Sequence, residues 1–92
     1  MERAVITMHL PAHKRQALRM QTDKRWAELA YDERIPEYIR YLQREAQPHG
    51  FRVQTDDRDW GVVLSVDERS HDDKKAAYEW LQTLPDIWNW MP

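Results

Sequence analysis

The chain begins with a strict alternation of side chains between two faces. In residues 4–10, one face carries Ala4, Ile6, Met8 and Leu10. The second face carries Val5, Thr7 and His9. A period of two with β-branched residues predicts a half-buried strand, and Pro11 marks its end.

A long segment of high helix propensity follows the predicted strand. Residues 12–33 are rich in Ala, Leu, Arg, Lys and Glu, which favour helix. Asp23 is placed to cap a second helix from Lys24, so one bent helix and two helices both fit the pattern. Pro36 suits the first turn of a further helix over 36–46, which the sequence Gln47–Gly50 ends.

The remaining elements are two strands and a helix. Residues 51–55 alternate apolar and polar, and residues 60–66 return after a polar turn at 56–59, which predicts a β-hairpin. Ser70 with Asp73 forms a variant capping box and opens a helix that Pro85 ends. The apolar stripe of that helix contains Ala77, Trp80, Leu81 and Leu84, and we expect Trp80 in the core.

The predicted order is β-α(α)-β-β-α over a single α+β domain, residues 1–92. A three-stranded sheet of this kind buries one face under two or three helices. Strands one and two are expected to run parallel through a right-handed crossover, and the strand order stays open. The predicted core consists of Ile6, Met8, Ile39, Leu42, Val53, Val62, Leu64, Leu81 and Leu84.

Composition removes several classes of function. The chain of 92 residues has no cysteine and only two glycines, which excludes disulfides, thiolate metal sites and glycine-rich phosphate loops. The sequence contains neither a signal-peptide pattern nor an apolar run that could span a bilayer. We therefore expect a cytoplasmic protein that does not act at a membrane.

The residues with catalytic or metal-binding chemistry do not form a recognised motif. Neither Ser65 nor Ser70 lies in a nucleophile-elbow sequence. Pro11 separates His9 from His13 and removes the shared helical face that two metal ligands need. The acids at 57, 59 and 68 match calcium-loop positions, but valine stands where that loop requires glycine. We expect no enzymatic activity, no metal and no cofactor.

Charge is distributed unevenly along a chain of net charge −2. Residues 13–25 carry five basic side chains against Asp23, a net charge of +4: Lys14, Arg15, Arg19, Lys24 and Arg25. Such a segment can bind nucleic-acid phosphates. Residues 56–73 carry seven acids against two arginines, a net charge of −5. This acidic segment can face a basic surface on a protein partner.

The start of the chain offers a second route to nucleic acid. The sequence Thr7-Met8-His9-Leu10-Pro11 before a basic helix resembles the beginning of a ribbon-helix-helix protein, in which strand residues read the major groove. The resemblance covers about a third of the chain. It implies that Val5, Thr7 and His9 form the reading face.

The C-terminal aromatics suggest a protein partner. Trp88 and Trp90 follow Pro85 and either fold back on the domain or anchor a partner, since tryptophan dominates binding hot spots. We expect Trp88 against the last helix and Trp90 more exposed near the chain end. The candidate partner-binding residues are Trp88, Trp90, Asp56, Asp57, Asp59, Asp72 and Asp73.

These patterns favour a non-catalytic protein-binding regulator or inhibitor, of the kind that mobile genetic elements encode against host machinery. The alternative is a nucleic-acid-binding regulator that uses the basic segment 13–25.

Overall fold

A computed structural model of the chain describes residues 3–68 and 70–90. In chain order its elements are β1 Ala4–His9, α1 Leu10–Arg19, α2 Lys24–Ala46, a short 3-10 turn Gln47–His49, β2 Phe51–Asp56, β3 Leu64–Glu68 and α3 His71–Gln82. The predicted α+β fold with this order of strands and helices is confirmed.

The first strand lies in the middle of the sheet. The strand order is β2-β1-β3, with Ile6 opposite Val53 in the parallel pair and opposite Val66 in the antiparallel pair. The parallel relation of the first two strands is confirmed. The predicted hairpin is wrong, because β1 separates β2 from β3. Residues 57–63 instead cross the end of β1, where the His9 N–H donates to the Val63 carbonyl at 2.9 Å.

The helical segment forms two helices, and the second is longer than predicted. Asp23 caps α2 by accepting a hydrogen bond from the Trp26 N–H at 3.1 Å. Pro36 lies inside α2, so the prediction that it begins a separate helix is wrong. Proline removes one helical hydrogen bond, but Tyr31 before it and Tyr38 after it are both buried on the core side. Burial on both sides of Pro36 offsets that loss and keeps the helix continuous.

Two predicted helix boundaries are confirmed: the end of the helical segment before β2 and the start of α3. Gly50 follows the 3-10 turn with φ of 75°, a left-handed conformation that glycine adopts without strain. Ser70 caps α3, because its hydroxyl accepts a hydrogen bond from the Asp73 N–H at 3.1 Å.

The core lies between one face of the sheet and the helices. Four predicted members are buried there: Ile6, Met8, Leu42 and Val53. Three more are half-buried and pack against the core: Leu64, Leu81 and Leu84. Ile39 is half-buried. Trp80, only 8% exposed, is in the core as expected.

Val62 is the predicted core residue that lies outside. It is 47% exposed, because β3 begins at Leu64 and residues 60–63 belong to the preceding loop. Val66, 8% exposed, faces the core from β3 instead. The strand predicted over residues 60–66 therefore starts later, at Leu64.

Candidate functional site: an aromatic surface on the two N-terminal helices

The C-terminal segment folds back onto α1 and α2. The Asp86 carboxylate accepts hydrogen bonds from the N–H groups of Trp88 and Asn89 at 2.9 and 3.0 Å, which turns the chain. Ile87 is then 1% exposed. The Trp88 indole N–H donates to the Ala17 carbonyl of α1 at 3.2 Å.

Both candidate anchor tryptophans pack within the domain. Trp90 lies against Tyr38 and Tyr41, with ring centroids 5.7 and 5.5 Å apart, and Trp88 stacks on Trp26. Both rings are half-buried. The turn at Asp86 directs the segment toward α1 and α2, so Trp90 is not the free anchor that its place near the chain end suggested.

Two other tryptophans are exposed: Trp60 in the loop before β3, at 61%, and Trp26 on α2. Trp26 is 48% exposed, and Leu29, one helical turn further along α2, is 67% exposed. Met20, which follows α1, is 65% exposed and lines the same cavity as Trp88. We call Met20, Trp26 and Leu29 the α1–α2 apolar surface. Nothing in the sequence pattern had marked it as a site, although Trp26 and Leu29 stand three residues apart in a helical segment.

Trp26 is held in place from two sides. Its inner neighbour is the Trp88 ring, and the Arg34 guanidinium lies 5.8 Å from the Trp26 ring centroid and 5.4 Å from that of Trp88. Cation–π contacts of this kind stabilise the arrangement of the rings. The exposed indole therefore has a defined orientation.

Cationic side chains border the α1–α2 apolar surface. Arg19 precedes Met20, and Arg25 lies one turn before Leu29 on α2. Both are exposed, and neither has an ion-pair partner within the ranges 3–68 and 70–90. The Lys24 ammonium donates to the Leu18 carbonyl at the end of α1. Asp23 and Glu33, near Trp26 and Leu29, are also exposed, so the border carries both signs of charge with the cations Arg19, Lys24 and Arg25 in excess.

The structure brings four of the five predicted basic residues to one open groove between α1 and α2. Lys14, Arg15, Arg19 and Lys24 line it, together with Glu28. Lys14 forms ion pairs with Asp32 at 3.0 Å and Glu28 at 3.4 Å, and its hydrogen bond to Asp32 raises its pKa. Arg15 binds both carboxylate oxygens of Asp59, at 2.6 and 2.7 Å. Half of this cationic set is thus matched by acids.

The acidic residues do not form one free acidic surface. Asp56 pairs with Arg58, Asp59 with Arg15 and Asp73 with Arg3. Hydrogen bonds from these partners lower the pKa of Asp56 and of Asp59. Asp57 and Asp72 are exposed. Three of the five predicted partner-facing aspartates therefore serve contacts within the domain.

The strand face implied by the ribbon-helix-helix resemblance is not available for reading DNA. Thr7 is 7% exposed and His9 is 1% exposed, while Val5 is half-buried. Neighbouring strands flank β1 on both sides, and the Gln54 amide donates to the Thr7 hydroxyl at 2.9 Å. This interpretation of residues 5–10 is wrong because β1 is a central strand.

The structure reveals one nucleophile–base contact that the sequence did not indicate. The Ser65 hydroxyl lies 3.1 Å from His9 Nε2. The His9 ring is covered by Trp60, with centroids 5.5 Å apart, and its Nδ1 has no hydrogen-bond partner in the described part of the chain. Asp56, in register with His9, is bonded to Arg58 instead. The third group that would orient the base is thus missing from the contact.

Residues 3–68 and 70–90 also lack a metal-binding cluster and a membrane-spanning helix. They contain no group of three or more histidine and acidic side chains arranged to hold a metal ion. None of their helices is both long and apolar enough to cross a membrane.

Comparison of the chain with protein-family models, with curated proteins and with solved structures gives no match.

Proposed function

We propose that the protein is a non-catalytic protein-binding module that docks its partner on the α1–α2 apolar surface. The observation that supports this most directly is Trp26, which is 48% exposed yet fixed between Trp88 and Arg34. Exposed tryptophans are strong binding anchors. An anchor that is already ordered loses less conformational entropy when it binds.

The charge around the surface defines the chemistry of the partner. Arg19, Lys24 and Arg25 border it, so an apolar segment that carries aspartate or glutamate beside its anchor residue fits best. Opposite charges at the rim of an interface speed association and fix its register. A small domain that covers a partner surface without reacting with it acts as a regulator or an inhibitor.

Selection from a displayed library of random peptides tests the proposal. We expect the immobilised protein to enrich peptides with a large apolar residue flanked by acids. The variants Trp26→Ala and Leu29→Ala are expected not to bind these peptides, since each substitution removes an exposed anchor. Tyr78→Ala serves as the matched control, because Tyr78 is 43% exposed on α3, outside the surface.

Two results would overturn the proposal. One is that the enriched peptides bind Trp26→Ala and the parent protein equally well. The other is that sedimentation shows the surface is covered by a second copy of the chain, with a dimer that Leu29→Glu dissociates.

Nucleic acid is the second candidate partner, and the convergence of Lys14, Arg15, Arg19 and Lys24 on one groove favours it. Such binding would fall steeply with salt. Replacing Arg19 and Lys24 with alanine would flatten that salt dependence for all sequences alike. Because Lys14 and Arg15 already form ion pairs within the domain, we favour a protein partner over nucleic acid.

A further inference from the structure

A cavity of about 270 Å³ lies between the sheet, all three helices and the C-terminal segment. Most of its lining is apolar, including Met8, Met20, Leu64, Leu84, Ile87 and Trp88. Native interiors are packed to a density that leaves few voids larger than a water molecule. A volume of about 270 Å³ is far larger than such a void and is large enough to hold a small ligand.

Polar side chains are few in the lining of the cavity. His13, Gln16 and Asp86 line it, and Gln16 is exposed, which places it at the mouth. His13 Nδ1 lies 2.8 Å from the Tyr31 hydroxyl, and burial lowers the pKa of His13. Its ring is accordingly a neutral imidazole at neutral pH. An apolar space with a few convergent polar groups is the usual form of a small-molecule site.

We propose that this cavity binds a small, flat, neutral aromatic molecule of two fused rings that carries one N–H donor. A cavity of roughly 150 Å³ holds one benzene ring, so the larger space here accommodates a second ring. The thioethers of Met8 and Met20 make favourable contacts with aromatic ring edges.

The polar lining of the cavity selects the donor and the charge of the ligand. Asp86 Oδ1 accepts hydrogen bonds from Trp88 and Asn89, so the Oδ2 atom of this lining carboxylate is the acceptor that an N–H group of the ligand would match. The same carboxylate repels an anion. Met20 belongs both to this lining and to the α1–α2 apolar surface, whereas Trp26 and Leu29 lie outside the lining. Indole binding and peptide binding can therefore be lost separately.

Indole is the probe that tests the site. We expect isothermal titration to show saturable binding of one indole per chain, and indole to raise the midpoint of thermal unfolding, as any ligand specific to the folded state does. Indene, which lacks the N–H group, is expected to bind about tenfold more weakly, because it leaves Asp86 Oδ2 unpaired. Absence of binding at millimolar indole would overturn the proposal.

Variants that fill the cavity locate the binding. Leu84→Trp and Ala17→Leu each add volume inside the lining and are expected to lose indole binding while unfolding cooperatively. Tyr78→Trp is the matched control, because Tyr78 is 43% exposed and lies outside the cavity lining. Equal binding by parent and filled variants would contradict the proposal.

Contacts in the parent protein provide a measurement that does not depend on folding of the variants. Nuclear Overhauser effects are expected from the indole ring protons to the methyl groups of Met8 and Met20. Their absence from a saturated sample would place the indole elsewhere and overturn the assignment.

Discussion

Trp26 and Trp88 stack with their ring centroids 5.8 Å apart and their planes inclined by 28°. One ring belongs to α2 and the other to the C-terminal segment, so the exposed aromatic surface depends on residues that are distant in sequence. Trp88 supports Trp26 from below without itself being the outermost ring.

Trp88→Ala is therefore expected to affect both stability and binding. Loss of this half-buried ring and of its bond to Ala17 should lower the free energy of unfolding by about 2–4 kcal/mol. The substitution should also weaken binding of the selected peptides, because Trp26 loses its orientation. Denaturant titration and peptide titration measure the two effects. Tyr78→Ala should change stability by less than about 0.5 kcal/mol, and an equal effect of both variants would contradict the support role of Trp88.

Ile87→Ala tests whether the C-terminal segment is part of the core. Ile87 is 1% exposed, so the substitution leaves a cavity and should cost about 2–5 kcal/mol. Val62→Ala removes a side chain that is 47% exposed and is the matched control, with an expected cost below about 1 kcal/mol. Urea unfolding of the two variants measures the difference. If both lost the same stability, Ile87 would not be buried.

Stability is expected to fall as the pH drops below the ordinary histidine pKa of 6.5. Burial lowers the pKa of His13 in the folded state, so between its folded pKa and 6.5 the unfolded chain binds more protons. His13 therefore contributes to the free energy of unfolding above pH 6.5, and this contribution is lost as the pH falls from 6.5 through the folded pKa. Asp56 and Asp59, whose pKa values lie below the ordinary 3.8, lose their contributions only at lower pH.

Unfolding titrations at several pH values, in the parent and in His13→Gln, measure this slope. The variant should lose the part of the slope that lies just below pH 6.5. His71→Gln is the control, because His71 is exposed at the start of α3. An unchanged slope in His13→Gln would show that another group titrates there.

Arg15→Ala is expected to loosen the loop at residues 57–63. Arg15 holds both oxygens of Asp59, and Asp59 in turn accepts from the Gly61 N–H at 3.3 Å. Amide exchange in this loop should quicken, while exchange in the core stays slow. Arg40→Ala breaks an exposed ion pair with Glu37 on α2 and should leave the loop unchanged. Identical exchange of the loop in both variants would exclude this role of Arg15.

Local signals in the sequence predicted the elements well, because capping and alternation depend on near neighbours. Asp23, Gly50 and Ser70 act at the helix ends where their chemistry placed them. Pro36 was misread because its local penalty is outweighed by the burial of Tyr31 and Tyr38. The hairpin was misread because a short polar turn does not reveal that β1 takes the place between the two strands.

The candidate site was harder to predict, because it depends on contacts across the chain. The aromatic content of the C-terminal segment suggested Trp88 and Trp90 as anchors, but the turn at Asp86 directs both rings toward α1 and α2. Trp26, which no sequence pattern marked as an anchor, is 48% exposed. Net charge of a segment likewise does not reveal that Arg15 and Asp59, 44 positions apart, neutralise one another.

The central position of β1 affects how the protein can fold as it is synthesised. Ala4 pairs with Phe51 on one side and Glu68 on the other, so β1 leaves the ribosome long before either partner exists. Contacts between α1 and α2 are close in sequence and can form early, whereas sheet formation waits for distant contacts, which slow folding. A nascent chain that ends before residue 64 leaves one edge of an apolar strand unpaired, an arrangement that favours association between chains.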